Sequence, residues 1–168
     1  MQDCMVSKEE REALVDIGED SLGVIVEIGS YRGMTALALA ERTNNPVFCI
    51  DPHQNFTGPL GATFGPGDRQ TFFENVSAEC KGHQISLINL RSLQACQVWD
   101  LEIDTLFIDG NHDHACSDFE AWRPHLKEHS TVAFHDSQYP AVGAAIRLAM
   151  SAGFRVVEEV GSLTVLRR

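Results

Sequence analysis

Polar residues and glycine follow four short apolar runs in this chain of 168 residues. In a parallel sheet the carboxyl ends of the strands meet at one edge, and ligands bind there at the point where the strand order reverses. We therefore expect the residues that end these runs to come together in one site. They are Glu27 with Gly29, Asp51, Asp109, and the adjacent pair His135 and Asp136.

The first run continues into a turn that contains two glycines, Gly29 and Gly33. Glycine lets the backbone pass close to a ligand. Asp51 follows 22 positions after Gly29, and a carboxylate at the end of the next strand can accept hydrogen bonds from both hydroxyls of a ribose. The combination predicts a ligand of the adenosine type. The alternative is that both glycines serve packing and that Asp51 is a solvated strand end.

A nicotinamide cofactor is a weaker interpretation of the same turn. Tyr31 stands where the second glycine of the GxGxxG fingerprint lets the backbone approach a pyrophosphate. The turn therefore favours an adenosine ligand that has no pyrophosphate.

Strand-like and helix-like segments alternate along the chain, which predicts an α/β fold. Apolar runs predict parallel strands at 24–28, 47–50, 85–90, 103–108 and 131–134, and a closing β-hairpin at 154–160 and 163–166. Amphipathic patterns predict helices at 9–19, 34–42, 68–80, 92–98, 116–125 and 142–152. The first helix, within residues 1–21, begins with a capping box of Ser7 and Glu10. Prolines and glycines between 53 and 67 predict a long flexible loop over the site.

The composition limits the class of protein. A chain with 43% hydrophobic and 22% charged residues fits one domain over residues 1–168. The formal net charge of -11 argues against nucleic acid as a partner, because binding to phosphates needs clustered Lys and Arg. No apolar stretch approaches the roughly 20 residues that span a bilayer. We expect a small-molecule substrate and no membrane partner.

The N-terminal residues and the cysteines predict the compartment. Acidic residues such as Glu9 and Glu10 stand where a secretory signal would carry a basic and then an apolar segment. The five cysteines form no CxxC pair. We interpret them as reduced thiols in a cytoplasmic protein.

Three segments carry a resemblance to a known family. The segment 27–35, Glu-Ile-Gly-Ser-Tyr-Arg-Gly-Met-Thr, resembles the first motif of class I S-adenosylmethionine-dependent methyltransferases. The segments 107–113 and 133–137, which contain Asp-Gly-Asn-His and His-Asp, resemble the branch that includes metal-dependent sugar O-methyltransferases. The resemblance extends from about Leu22 to the end of the chain. It implies a doubly wound, mostly parallel seven-stranded sheet that ends in an antiparallel β-hairpin.

The resemblance also implies which residues bind the cofactor, S-adenosylmethionine. Glu27 would help to orient its amino end, Asp51 would hold its ribose, and Asp109 would complete the site at the end of the fourth strand. The remaining cofactor residues are Gly29, Ser30, Tyr31 and Gly33 against the methionine part, and Arg91 and Ser92 near the adenine.

In the metal-dependent members of this branch, acids that end the fourth and fifth strands hold Mg²⁺, and a histidine three residues after the first acid acts as base. Asp109, Asp136 and His112 occupy those positions. This chain carries His135 beside Asp136 where those members have an acidic pair. Imidazole suits Mn²⁺, Fe²⁺ or Zn²⁺ better than Mg²⁺, so this histidine argues against Mg²⁺. The expected metal site is Asp109, His135 and Asp136, with Mg²⁺ or Mn²⁺ as the divalent cation.

An alternative interpretation of that pair needs no metal. His135 would then be a strand-end residue that bonds to a backbone carbonyl, and Asp136 would cap the following helix.

The chemistry that follows is methylation of a hydroxyl on a small acceptor, with a sugar or glycoside preferred. Histidine as a residue type changes charge near neutral pH, so His112 is the predicted base that removes the hydroxyl proton. One alternative is a metal-dependent hydrolase or hydroxylase on the same fold, and another is a cofactor-binding protein without catalysis. Because only about 20 residues precede the first strand, the loop 53–67 or a second subunit would have to close the site. In the second case the protein would be a homo-oligomer.

Overall fold

The structure is a computed structural model that describes residues 5–58, 61–80 and 82–168. Its centre is a seven-stranded sheet with the spatial order β5-β2-β1-β6-β7-β9-β8. These strands are β1 (Val24–Ile28), β2 (Val47–Ile50), β5 (Ile85–Ile88), β6 (Ile103–Ile108), β7 (Leu126–Phe134), β8 (Arg155–Val160) and β9 (Leu163–Arg167). Two further strands, β3 (Phe56–Thr57) and β4 (Thr63–Phe64), form a small antiparallel hairpin.

The large sheet is mostly parallel. β1 pairs with β2 on one side and with β6 on the other, and the parallel arrangement continues to β5 and β7. β9 runs antiparallel between β7 and β8. The predicted seven-stranded doubly wound sheet with a final hairpin is therefore confirmed. Because the chain winds outward in opposite directions from β1 and β6, the carboxyl ends of these two strands border the crevice in which such sheets bind ligands.

Six α-helices within the described residues cover the two faces of the sheet. They are α1 (Lys8–Asp20), α2 (Met34–Ala40), α3 (Pro66–Glu79), α4 (Ser92–Cys96), α5 (Ala115–Trp122) and α6 (Pro140–Ser151). Residues of α1 and α2, with Phe72 of α3, form one buried cluster, and residues of α4, α5 and α6 form the other. Side chains of β1 point alternately to the two faces of the sheet, so Ile25 belongs to the first cluster and Val26 to the second.

The segment between β2 and α3 differs from the predicted loop. It contains the β3–β4 hairpin. The helix α3 begins at Pro66, two residues before the predicted start, and proline is favoured at the first position of a helix. Pro59 and Leu60, at the centre of the predicted loop, lie outside the described residues. The capping box of α1 is confirmed, since Ser7 Oγ accepts the N–H of Glu10 at 3.1 Å and Ser7 N–H donates to Glu10 Oε2 at 2.7 Å.

The described cysteines Cys49, Cys80, Cys96 and Cys116 are free thiols. This fits the expected reduced state, and a cytoplasmic location stays a prediction. Within the described ranges, no helix has both the length and the apolar character needed to cross a membrane.

Candidate functional site

The two glycines of the turn after β1 each have a packing role. Gly29 has φ +89°, and a β-carbon there would lie 2.4 Å from the carbonyl oxygen of Asp109. Gly33 has φ +81°, and a β-carbon there would lie 2.8 Å from Cδ2 of Phe72 in α3. Glycine is needed at both positions because of the positive φ and because of this close approach. A role of the same glycines in cofactor binding stays a prediction.

Asp51, at the end of β2, holds two residues with left-handed backbone conformations. Its Oδ2 accepts the backbone N–H of Tyr31 at 2.9 Å, and its Oδ1 accepts that of His53 at 2.7 Å. Tyr31 and His53 both have φ +45°. Such conformations are uncommon outside glycine and cluster at functional sites. Each carboxylate oxygen has a further lone pair, so Asp51 retains capacity for a ligand.

His53 is a residue of this site that the sequence analysis missed. Its ring is buried, and Nε2 lies 2.6 Å from the backbone carbonyl of Tyr31. Asn89, just after β5, donates from Nδ2 to the Asp51 carbonyl at 2.8 Å and lies 3.4 Å from His53 Nδ1. His53 therefore ties the end of β2 to the glycine turn. The only feature of the sequence that indicated a role for His53 was its position two residues after Asp51. We did not predict that role because His53 lies in the segment predicted as a flexible loop.

Two buried polar atoms beside the glycine turn have no hydrogen-bond partner within the described residues. Glu27 is fully buried in β1, where its Oε1 accepts the hydroxyl of Thr35, but Oε2 has no partner. Ser30 Oγ is also buried and unpartnered. Burial raises the pKa of Glu27 to about 8. Buried polar groups are normally satisfied, so two such atoms in one strand end and its turn fit a bound polar ligand.

Arg91 and Ser92, predicted near the adenine, face different neighbours. The exposed Arg91 donates from Nε and Nη2 to Gln54 Oε1 at 3.1 and 2.8 Å, next to the end of β2. The hydroxyl of Ser92 accepts the indole N–H of Trp122 at 2.9 Å. Arg91 therefore lies near the end of β2, on the same side of the site as Asp51. The side chain of Ser92 is hydrogen-bonded to Trp122 of α5.

A second group of residues lies beyond the ends of β6 and β7. Asp109, His112 and Asp136 each offer a metal-ligand atom, and these atoms lie within 4.8 Å of one another. His112 Nε2 is 2.9 Å from Asp136 Oδ2, and its ring stacks on Tyr139 with 4.3 Å between centroids. Nδ1 of His112 is buried and has no partner within the part of the chain that the structure describes.

His135, predicted as a metal ligand, is outside that group. Its Nδ1 lies 3.1 Å from Asp109 Oδ1 and 3.6 Å from Asp136 Oδ2. Its Nε2 lies 3.1 Å from Ser162 Oγ and 3.6 Å from Glu10 Oε1. Both ring nitrogens therefore face oxygen atoms of the protein, and the ligand atoms that lie together are those of Asp109, His112 and Asp136.

The ionisation of this group follows from its hydrogen bonds. Burial alone would lower the pKa of His135, but the bonds to Asp109 and Asp136 outweigh it and raise the pKa to about 11. The bond from His135 lowers the pKa of Asp136 to about 2. His135 is therefore a buried cation between carboxylates at neutral pH.

The contacts of His135 and Asp136 differ from those that the alternative without a metal predicts. His135 bonds to side chains, and α6 is preceded by Tyr139 at its N-cap position. Asp136, with φ +58°, accepts the side-chain N–H of Gln138 at 3.0 Å.

The donor set of Asp109, His112 and Asp136 fits a divalent cation. Two carboxylates and one imidazole suit Mn²⁺, Fe²⁺ or Zn²⁺, whereas Mg²⁺ would take mainly the carboxylate oxygens.

A family model described as a methyltransferase domain matches residues 26–137. The chain therefore belongs to the methyltransferase-domain family, which confirms the resemblance to class I S-adenosylmethionine-dependent methyltransferases. Among curated proteins, none matches the chain.

Solved structures support the fold. The O-methyltransferase TomG from Streptomyces achromogenes, involved in tomaymycin synthesis and solved with SAM, has a TM-score of 0.71 at 15% identity over 99% of this chain and 82% of that chain. An O-methyltransferase from Bacillus cereus, solved with SAH, has a TM-score of 0.69 at 14% identity over 97% and 82%. The calicheamicin methyltransferase CalS11 has a TM-score of 0.72 at 18% identity over 94% and 77%. At these identities the likeness shows the fold.

Proposed function

We propose that this protein transfers the methyl group of S-adenosylmethionine to a hydroxyl of a small acceptor, with a sugar or glycoside as the preferred class. One observation carries the proposal. The glycine turn after β1 is in direct contact with the strand end that bears the second group, because Gly29 packs against the backbone of Asp109. A donor held by the turn and a hydroxyl held at Asp109, His112 and Asp136 would therefore be neighbours.

The residues around the glycine turn would hold the cofactor. Asp51 would accept the ribose hydroxyls, and the unpartnered oxygens of Glu27 and Ser30 would take the amino and carboxyl groups of the methionine part. When bound, S-adenosylmethionine supplies a methyl group on a positively charged sulfur. Solved relatives of the same fold that carry SAM or SAH support this choice of cofactor.

His112 would accept the proton of the acceptor hydroxyl. Nε2 lies 2.9 Å from Asp136 Oδ2, whereas Nδ1 has no partner within the described residues, so we assign the proton-accepting role to Nδ1. Asp136 also stabilises the positive ring that forms after proton transfer. A base positioned in this way contributes roughly 10²–10⁴-fold to a rate.

A divalent cation, Mg²⁺ or Mn²⁺, would be held by Asp109 and Asp136. When bound, it supplies positive charge that lowers the pKa of the acceptor hydroxyl. An ion that also used His112 as a ligand would remove this residue from the base role, so the two carboxylates are the proposed ligands.

The β3–β4 hairpin and a second subunit are the two proposed covers of the site. Phe64 of the hairpin contacts Tyr31 of the glycine turn with 5.2 Å between ring centroids. This contact supports the hairpin as a cover. The proposed partners are a small-molecule acceptor and a second copy of the chain.

The first test is calorimetry with S-adenosylhomocysteine and S-adenosylmethionine, in EDTA and in Mg²⁺ or Mn²⁺. Binding of both is expected, and absence of binding under all conditions would overturn the proposal.

The second test offers sugars, glycosides, phenols and thiols as acceptors, and it measures S-adenosylhomocysteine formation. Turnover with hydroxyl acceptors supports O-methylation. Binding without turnover on any acceptor supports the inactive cofactor-binding protein instead.

A further inference from the structure

Glu10 lies in the first turn of α1, yet its buried carboxylate reaches the turn between β8 and β9. Its Oε2 accepts the backbone N–H of Ser7 in the capping box. Its Oε1 accepts the backbone N–H of Ser162 at 2.7 Å and the hydroxyl of Ser162 at 2.8 Å. A helix cap needs only the bond to Ser7, so the bonds to Ser162 require another explanation.

Ser162 connects Glu10 to the second group of the candidate site. Its Oγ lies 3.1 Å from His135 Nε2, while His135 Nδ1 lies 3.1 Å from Asp109 Oδ1. The carbonyl of Ser162 also accepts the backbone N–H of Ser137 at 2.9 Å. The turn that Glu10 holds is therefore bonded both to His135 and to the residue after Asp136.

Gly161 shows that the sequence accommodates this contact. It has φ +59°, and a β-carbon there would lie 2.6 Å from Glu10 Oε1 and 3.0 Å from Glu10 Cδ. Glycine thus lets the turn close on the carboxylate. The approach of Glu10 to this turn depends on residues from both ends of the chain.

From these contacts we infer that Glu10 is a positioning residue for methyl transfer, acting through Ser162 and His135 on the carboxylates of Asp109 and Asp136. This inference rests on the proposed function. Glu10 touches neither donor nor acceptor. It fixes the orientation of the His135 ring by occupying Ser162, and His135 in turn holds the two carboxylates against which His112 is aligned. Groups one step behind a site commonly fix its orientation in this way, and their loss costs about 10–100-fold in metal sites.

Ring signals of histidine in long-range ¹H–¹⁵N spectra test the inference without an acceptor. The spectra are recorded at pH 7 on labelled wild-type protein and on Glu10→Gln and Ser162→Ala, well below their melting temperatures. His112→Gln and His135→Gln variants assign the two rings. Ser162→Thr retains the hydroxyl and serves as the rescue. Glu12→Gln is the matched control, since Glu12 is an exposed acid of α1 that pairs with Arg42.

We expect the ring signals of both His135 and His112 to move in Glu10→Gln and Ser162→Ala. They should stay at wild-type positions in Ser162→Thr and Glu12→Gln. Affinity for S-adenosylhomocysteine should stay within about twofold of wild type in all four variants, because the residues proposed to hold its ribose and its methionine part lie at the ends of β1 and β2. A purely structural role would lower the melting temperature and leave the His112 signal in place.

The outcomes separate this inference from the proposed function. Absence of S-adenosylhomocysteine binding by the wild type would overturn the proposed function. Normal binding together with an unmoved His112 ring in both Glu10→Gln and Ser162→Ala would overturn the positioning role alone. If Glu10→Gln does not fold, Ser162→Ala decides, because it retains the capping box of α1.

Discussion

Gly29 and Asp109 meet backbone to backbone at the carboxyl ends of two adjacent strands. A β-carbon on Gly29 would lie 2.4 Å from the Asp109 carbonyl oxygen and 2.6 Å from Cα of Gly110. The N–H of Asp109 also donates to the carbonyl of Ile28 at 2.8 Å. The turn proposed to hold the methyl donor and the loop proposed to hold the acceptor are therefore parts of one packed unit.

Gly29→Ala should disturb both halves of this unit. We expect a lower melting temperature and loss of S-adenosylhomocysteine binding, because the new methyl group meets rigid backbone atoms. Calorimetry and thermal unfolding measure the two effects. Gly153→Ala is the control, since Gly153 has φ +98° but a β-carbon there would meet nothing within 4 Å. It should cost only about 1–2 kcal/mol of backbone strain. Equal behaviour of the two variants would show that the contact with Asp109 is unimportant.

Asp51→Asn should weaken S-adenosylhomocysteine binding by about ten- to hundredfold, because a charge-assisted hydrogen bond to the ribose is lost. Some loss of stability is expected too, since Asp51 accepts the backbone N–H groups of Tyr31 and His53. Asp104→Asn is a matched control. Asp104 accepts the backbone N–H of Leu22 at 2.8 Å at the opposite end of the sheet. Unchanged affinity in folded Asp51→Asn would remove the ribose assignment.

Sequence patterns predicted the central strands well because burial constrains them from both faces. β1, β2 and β6 have the bounds expected from their apolar runs. β7 begins at Leu126, five residues before the predicted start at 131. Its first part contains Lys127, Glu128 and His129, which are not apolar, so periodicity did not reveal it.

The site was predictable where strand ends define it and unpredictable where distant segments meet. Strand order brings Asp109, His112 and Asp136 together, as chain order suggested. The partners of His135 were not visible, because Glu10 is 125 positions earlier in the chain and Ser162 lies in a hairpin turn. Long-range side-chain contacts of this kind leave no periodic signal in a sequence.

His112→Ala should lower turnover by roughly 10²–10⁴-fold on an acceptor that the wild type methylates, because the proton acceptor is lost. Cofactor affinity should stay near wild type, since His112 lies beyond β6. Initial rates and calorimetry measure both. Asp113→Asn is the control, because Asp113 is an exposed acid next to His112. A fully active His112→Ala variant would remove the base assignment.

Removal of metal tests whether a divalent cation takes part in the reaction. We expect EDTA to lower turnover and added Mg²⁺ or Mn²⁺ to restore it, and Asp136→Asn to abolish this dependence. Full wild-type activity in EDTA would remove the cation from the mechanism and leave His112 as the base.

Acid should destabilise the protein through Glu10. Burial opposes ionisation of this carboxyl, but hydrogen bonds from Ser7 and Ser162 outweigh it and lower its pKa from 4.5 to about 2. A depressed carboxyl pKa stabilises the fold above pH 4.5, and the contribution is lost as the pH falls toward 2. Glu10→Gln should therefore lose less stability than wild type as the pH falls through this window. Urea unfolding of wild type and Glu10→Gln between pH 6 and 2 measures it, and parallel pH curves would contradict it.

Glu27 should release a proton when the cofactor binds. Burial raises its pKa from 4.5 to about 8, so the free protein holds it mostly protonated at pH 7. The cationic amino group of S-adenosylhomocysteine beside Glu27 would favour the carboxylate and lower that pKa. Near pH 7, the calorimetric enthalpy of binding should therefore depend on the ionisation enthalpy of the buffer, with up to about one proton released. Phosphate and Tris differ enough to show it.

Glu27→Gln is the control for this proton release. It has no proton to lose, so its binding enthalpy should be the same in both buffers. The raised pKa also predicts a stability effect with a definite sign. Folding favours the neutral form of Glu27, so its contribution to stability is complete below pH 4.5 and is lost as the pH rises through 8. Wild type should therefore lose stability relative to Glu27→Gln across this window. A buffer-independent enthalpy in the wild type would mean that Glu27 does not meet the amino group of the cofactor.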